Sequence, residues 1–375
     1  MDFNTSVLKN EEIANFKLRQ LYDKFGYSHY KMSKFEEYEL YVRNKDFLVS
    51  DSVITFTDTN GKLLALKPDV TLSIIKNTNE NENGVKKVYY NENVYRISNG
   101  AHSYKEIMQS GLECIGDIDT YNIYEVLMLA CESLKTISDD CILDISHLGI
   151  LSDIIDNLKI PAESKNAVLK CVGEKNTHEI GTILDELGID PAKTSSFKKL
   201  VMFYGSPENA IKIIEEELSD LVDSKKTEML KTVTASLKAN GYENIIRMDF
   251  SVINNMSYYN GIVFKGFINT IPTGVLSGGQ YDKLMEKMGK KSGAIGFAVY
   301  LDMLERFNET EKNYDVDTVI LYDEPIDIEA LNGAIKLMTD AGKSVMAQKN
   351  VPSDIKYKQL LKIKDKGVVI IENNA

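Results

Sequence analysis

The sequence predicts an α+β protein: an antiparallel sheet with flanking helices, a helical insertion, and a small C-terminal α/β domain. Three observations carry this. Between Lys87 and Gly116 a strand pattern (KVYYNENVYR), a polar loop (ISNGAHSY) and a second strand pattern (EIMQSGLECIG) form an antiparallel pair. From about 161 to 239 apolar residues recur at three- and four-residue steps, which is helical spacing. Beyond residue 315 strand and helix patterns alternate at the spacing of a small parallel layer.

In chain order, EEIANFKLRQLYDKFGY reads as an amphipathic helix with Ile13, Phe16, Leu21 and Phe25 on its apolar face and Gly26 at its end. VITFTDTNGKLLALKPDVT follows as short strands around a Thr-Asn-Gly hairpin turn. After the strand pair, YNIYEVLMLACESLKTI is a long helix and CILDISHLGILSDIID a strand entering another. Past the insertion, NIIRMDFSVINNMSYYNGIVFKGFI returns to strands. SGGQYDKL then makes a glycine turn, and IGFAVYLDMLERF reads as a helix. An acidic link, NETEKNYDVD, precedes strand TVILYD, helix IEALNGAIKLMTDAG, strand SVMAQ, helix DIKYKQLLKIKD and strand GVVIIE. The domains expected are 1–310, with the insertion at about 161–239, and 316–375.

Composition narrows the function. The 375 residues are 43% hydrophobic, enough for a full core, and carry a net charge of −12 with a pI near 5.0, which opposes binding to a phosphate polymer. The segment from Val316 onward holds nine acids against eight lysines. The lysines from Lys356 to Lys366, placed on a helix, spread around it as a solvated face. No nucleic-acid partner is therefore expected. Cys114, Cys131, Cys141 and Cys171 form no CxxC pair, so neither a zinc site nor a disulfide framework is indicated, and a cytoplasmic protein is expected. No apolar run approaches membrane-spanning length, and the N-terminus lacks a signal pattern. His29, His102, His147 and His178 have no triad or metal spacing, and no cofactor is implied. SGGQYDKL lacks the phosphate-loop pattern and reads as close backbone packing.

The strand pair delivers Arg96, Gln109 and Glu113 to one sheet face, which is the chemistry of a small-molecule pocket. A zwitterionic amino acid with an imidazole ring needs acceptors for its ammonium, a cation or donor for its carboxylate, a polar partner for the ring and an apolar wall. Asp69, Gln109, Glu113, Tyr258 and Tyr259 supply such groups. Taken singly, Gln109 and Glu113 read equally well as solvated strand residues, and the two tyrosines as core aromatics; the ordered set favours the pocket.

That ordered set resembles the class II aminoacyl-tRNA synthetases. The strand pair is similar to their motif 2, and SGGQYDKL with AIGFAVYLDML to the motif 3 region of the histidyl-tRNA synthetase family. Within that family the chain most resembles the regulatory subunits of ATP phosphoribosyltransferase. LKPDVT resembles the family's Arg-Pro-Glu/Asp-x-Thr, implying that Asp69 and Thr71 face the histidine amino group. Arg96 matches the motif 2 arginine, Gln109 and Glu113 the residues that read the histidine amine and imidazole, and Tyr258 and Tyr259 the Tyr-Tyr of the second histidine motif. Departures concern catalysis. Met303 stands at the motif 3 arginine, NNMSYY replaces Arg-Gly-Leu-Asp-Tyr-Tyr so that Asn254 stands at a second arginine, and Arg306 lies one turn away. Lys67 replaces the arginine before Pro68, and Ser33 the motif 1 proline at the family's dimer interface. The resemblance implies a non-catalytic subunit, itself dimeric. It would join the short catalytic ATP phosphoribosyltransferase subunit in a hetero-octamer, be required for its activity, and convey histidine feedback on the first step of histidine biosynthesis. A divergent histidine-tRNA ligase is the alternative, and another amino-acid ligase on this fold a third.

Overall fold

The computed structural model describes residues 8–45, 48, 53–78, 84–97, 103–253, 258–304, 314–351, 353–364 and 367–374. The loop tip 98–102 (with His102), Asn254 and Arg306 lie outside them. The chain divides into two compact units, Met1–Phe307 and Asn308–Ala375.

In the first unit the strands are β1 (Ser28–His29), β2 (Phe35–Glu37), β3 (Thr55–Thr57), β4 (Leu63–Leu66), β5 (Lys86–Ile97), β6 (Tyr104–Gly116), β7 (Cys141–His147), β8 (Ile246–Met248), β9 (Ile262–Ile268), β10 (Leu276–Gln280) and β11 (Gly293–Tyr300). Eight of them form one sheet in the order β1-β5-β6-β11-β10-β9-β7-β8, and β2-β4-β3 form a small second sheet. From β5 to β7 every pairing is antiparallel; β1 and β8 join the two edges in parallel. The β3–β4 turn is tied by Asp58, whose Oδ1 accepts from Asn60 N and Lys62 N at 2.8 Å each, with Gly61 at φ +80°.

Strand alternation gives the sheet two different faces. Leu112 and Cys114 of β6 point to one side, into a core with Val126, Leu127 and Leu134 of helix Thr120–Ile137. Glu113 and Ile115 point to the other, where Ile115 packs with Tyr90, Val94 and Tyr281. Helix Asn10–Lys24 covers the first face, but not with the stripe expected. Ala14, Leu18 and Tyr22 are buried, with Tyr22 OH 3.1 Å from Ser133 Oγ, while Phe16 is 57% exposed and Phe25 is exposed as well. The stripe is set by the i, i+4, i+8 row that meets helix Thr120–Ile137, not by the most apolar residues.

Five helices between Ala162 and Ala239 make the insertion, capped at their starts by Asn176, Asp190 and Asp223. The chain then returns as β8 beside β7.

Two elements differ from the sequence reading in this unit. IGFAVYLDML is not a helix: residues 293–300 are β11, paired with β6 and β10, and only Leu301–Leu304 make a short 3₁₀ turn. Ile295, Phe297 and Val299 alternate into the core, and small residues occupy the opposite face, which hides the period of two. Gly278 and Gly279 lie inside β10, not at a turn. A Cβ at Gly278 would stand 2.3 Å from the Gly296 carbonyl oxygen, and one at Gly279 2.8 Å from that of Ile262. Close backbone packing is their role.

The second unit is a sheet of β12 (Val316–Leu321), β13 (Val345–Gln348), β14 (Tyr357–Lys364) and β15 (Gly367–Asn373), ordered β13-β12-β14-β15, with helix Ile328–Asp340. DIKYKQLLKIKD is therefore mostly strand. β14 pairs in parallel with β12 and antiparallel with β15, and it buries Leu360 and Leu361 in separate apolar clusters. Its lysines do not wrap a helix, because the segment sits between two strands that satisfy its backbone.

Candidate functional site

Three segments converge over the polar face of the sheet. The first is Lys67–Thr71. Lys67 is 1% exposed and ion-paired with Glu92 of β5, and Tyr95 N donates to the Lys67 carbonyl at 2.9 Å. A buried pair of this kind fixes position more than it adds stability. It holds the segment against β5 so that Asp69 and Thr71 overhang β6. Asp69 Oδ1 accepts from Leu72 N at 2.9 Å, at the start of the helix Thr71–Lys76.

The second is the β5–β6 pair itself. Arg96 Nε donates to the Pro68 carbonyl at 3.1 Å, linking β5 to the overhanging segment. Gln109 and Glu113 are 4% and 2% exposed and four residues apart on one strand face. Glu113 is buried with both oxygens bonded: Thr71 Oγ1 donates to one at 2.8 Å and Tyr281 OH to the other at 2.5 Å. Its register neighbour on β11 is Gly296, where a Cβ would fall 1.8 Å from Glu113 Oε2. Glycine there is what gives the carboxylate its space.

The third is the Tyr258–Tyr259 pair, with ring centroids 4.6 Å apart and Tyr258 a further 5.6 Å from Tyr281. Together these segments enclose a cavity of about 430 Å³, within the range of small-molecule pockets. Asp69, Thr71, Arg96, Gln109, Glu113, Tyr258 and Tyr259 all line it. The structure thus brings together every residue proposed from the sequence. Sequence reasoning missed Tyr90, Tyr281, Tyr300, Ser277 and Lys265, which line it too. Tyr281 directly follows SGGQ, and Lys265 is a single charge inside the apolar strand IVFKGFI; both were visible signals.

Enclosure sets the electrostatics. Burial pushes the Glu113 carboxyl up to about 8 against the pull of its Tyr281 and Thr71 hydrogen bonds, with the Asp69 charge adding to the rise. Burial also raises Asp69, opposed by the Leu72 amide and the Arg96 charge. The hydroxyls of Tyr90, Tyr258, Tyr259 and Tyr281 sit well above the usual tyrosine value, first through burial and then through the facing carboxylates. Two buried acids in an aromatic-lined pocket are poised for a cationic or hydrogen-bond-donating ligand, because such a ligand restores the charge that burial suppresses.

Residues 2–304 match the histidyl-tRNA synthetase family. This chain belongs to that family. An ATP phosphoribosyltransferase regulatory subunit from Caldanaerobacter subterraneus subsp. tengcongensis is 30% identical over 76% of this chain and 75% of its own length. Another, from Oceanobacillus iheyensis, is 26% identical over 100% of this chain and 91% of its own. Within the family the chain therefore groups with the ATP phosphoribosyltransferase regulatory subunits. Among solved structures, an ATP phosphoribosyltransferase regulatory subunit/histidyl-tRNA synthetase from Bacillus halodurans superposes with a TM-score of 0.73 at 21% identity, over 94% of this chain and 93% of that one. A chain of the ATP phosphoribosyl transferase (HisG:HisZ) complex from Thermotoga maritima gives 0.62 at 20%, over 78% and 97%. These likenesses give the class II synthetase fold.

The remaining sequence candidates lie elsewhere. His147 caps helix Leu148–Asn157, accepting from Ile150 N at 3.3 Å, and burial lowers it to about 4, so it is a neutral structural histidine. The His29 ring lies 5.2 Å from that of Tyr89, tilted by 38°, and His178 is exposed on the insertion. Met303 is 40% exposed, its sulfur 3.6 Å from Thr273 Oγ1. Among the described residues no cluster of His, Cys, Asp and Glu could hold a metal, and no helix is long and apolar enough to cross a membrane.

Proposed function

We propose that this chain is the non-catalytic regulatory subunit of an ATP phosphoribosyltransferase. It joins the short catalytic subunit, supports its activity and carries feedback inhibition by histidine on the first step of histidine biosynthesis. The observation that carries the histidine reading is the convergence of all seven residues on one pocket. The imidazole and ammonium are matched by Glu113, Gln109, Asp69 and Thr71, and Tyr258 and Tyr259 form the apolar wall. A ligand that binds one conformation better shifts the assembly towards it, so a pocket detached from chemistry serves as a sensor. In this proposal the chain forms a dimer, enters a hetero-octamer with the catalytic subunit, and works in the cytoplasm without a cofactor of its own.

Adenylate synthesis needs fixed cations for the triphosphate and for the charge that develops in transfer. The thioether of Met303 supplies none, and Asn254 stands at the second arginine of the resemblance. Arg96 alone is retained, and it is tied to Pro68. Histidine-dependent ATP–pyrophosphate exchange by the pure chain, run beside a histidine titration, tests this reading. Saturable histidine binding without exchange is expected; robust exchange would assign a histidine-tRNA ligase instead.

A further inference from the structure

Lys265 of β9 has Ser277 of β10 as its register neighbour, and the two side chains line the cavity together with Thr273, Gly274 and Tyr300. Its stem has a made place: a Cβ at Gly274 would stand 2.4 Å from Lys265 Cε and 3.0 Å from Cγ, so glycine there lets the lysine lie along the wall. The ammonium lies 5.4 Å from the centroid of the Phe267 ring, and among the described residues it makes no ion pair or hydrogen bond. The second cation of the lining, Arg96, is bonded to the Pro68 carbonyl and faces Asp69. A half-buried lysine with no counter-charge among the described residues has free energy to gain from an incoming anion.

The layout of charge fits a zwitterion. Glu113 is on β6 and Lys265 on β9, three strand steps apart in the sheet. At about 4.8 Å per step, with the Lys265 row meeting β6 at Gly111, two residues from Glu113, their backbones are roughly 16 Å apart. Glu113 is held by Thr71 and Tyr281 at one end of the shared face, and the Lys265 stem lies along Gly274 at the other, so the two charges bracket the cavity.

We infer that Lys265 is the counter-ion for the carboxylate of the amino acid bound in this cavity, and so sets its preference for amino acids over their decarboxylated or reduced analogues. The assignment rests on the histidine reading above. It places the ligand's cationic and ring groups at the Asp69–Glu113 end and its carboxylate at the β9 end.

Isothermal titration of the full chain with L-histidine and with L-histidinol, in which a hydroxymethyl group replaces the carboxylate, tests it. The unsubstituted chain should prefer histidine by about tenfold to a hundredfold, the worth of one charge-assisted hydrogen bond. Lys265→Met should remove that preference by weakening histidine and leaving histidinol unchanged, the histidinol isotherm also reporting that the variant is folded. Gly274→Ala, which displaces the lysine stem, should weaken histidine selectively in the same direction. A Lys265→Met protein that keeps the full histidine-to-histidinol ratio overturns the assignment while leaving the histidine site standing. Absence of histidine binding in the unsubstituted chain overturns the reading on which it rests.

Discussion

Replacing Glu113 with glutamine should change how the protein's stability depends on pH. The Glu113 carboxyl is raised from an ordinary 4.5 to about 8, which at about 1.4 kcal/mol per pH unit favours the protonated folded state by up to roughly 5 kcal/mol. The folded chain holds this proton between those two values and the unfolded chain does not. The contribution is therefore fully present below pH 4.5 and is lost as pH rises through 8. Glutamine keeps the shape and can accept from one of Thr71 and Tyr281 while donating to the other, since either hydroxyl can reverse its role. Urea denaturation at pH 5, 6.5 and 8 should show the unsubstituted chain losing at least about 2 kcal/mol more than Glu113→Gln over that interval. Asp69, also raised by burial, contributes a slope of the same sign that both proteins share. Parallel stability curves for the two proteins would refute the claim that this carboxyl is held neutral by its enclosure.

Three further outcomes follow from the same geometry. Gly296→Ala places a methyl where the Glu113 carboxylate now lies, so histidine affinity should fall at least tenfold by calorimetry, with a lowered melting temperature. Gln109→Ala should weaken histidine binding or histidine inhibition by about 1 to 3 kcal/mol while co-elution with the catalytic subunit is retained; an unchanged response would move the sensing site elsewhere. His147→Ala removes a buried helix cap and should cost about 0.5–2 kcal/mol in denaturant titration with histidine affinity unchanged.

The sequence exposed the site more fully than the strands around it. Gln109 and Glu113 share a face because the β5–β6 pattern alternates openly, and the KPDVT segment announces itself by its proline and acid. The strand period of β11 is hidden for a reason tied to the site: its cavity side carries Ala294, Gly296 and Ala298, and at Gly296 any side chain would meet the Glu113 carboxylate, so the apolar alternation is left with one visible half. In β14 the adjacent Leu360 and Leu361 are buried on opposite faces, a pattern that local spacing cannot separate from a helix. In the helix Asn10–Lys24 the buried row is Ala14, Leu18 and Tyr22 instead of the Phe16 stripe, and Ser133 gives the buried Tyr22 hydroxyl a partner. Lys265 and Tyr281 escaped notice as isolated residues whose neighbours in space come from distant strands.

The central claim is that the chain regulates a catalytic partner through a histidine-filled pocket. The most direct measurement is the ATP phosphoribosyltransferase rate of the short catalytic subunit alone, with this chain, and with this chain plus histidine, each repeated with Glu113→Gln. The account predicts that either form of the chain raises the rate, that histidine suppresses it with the unsubstituted chain, and that suppression requires a higher histidine concentration with the variant. A rate indifferent to the chain contradicts the regulatory role; equal histidine suppression with both forms contradicts the pocket.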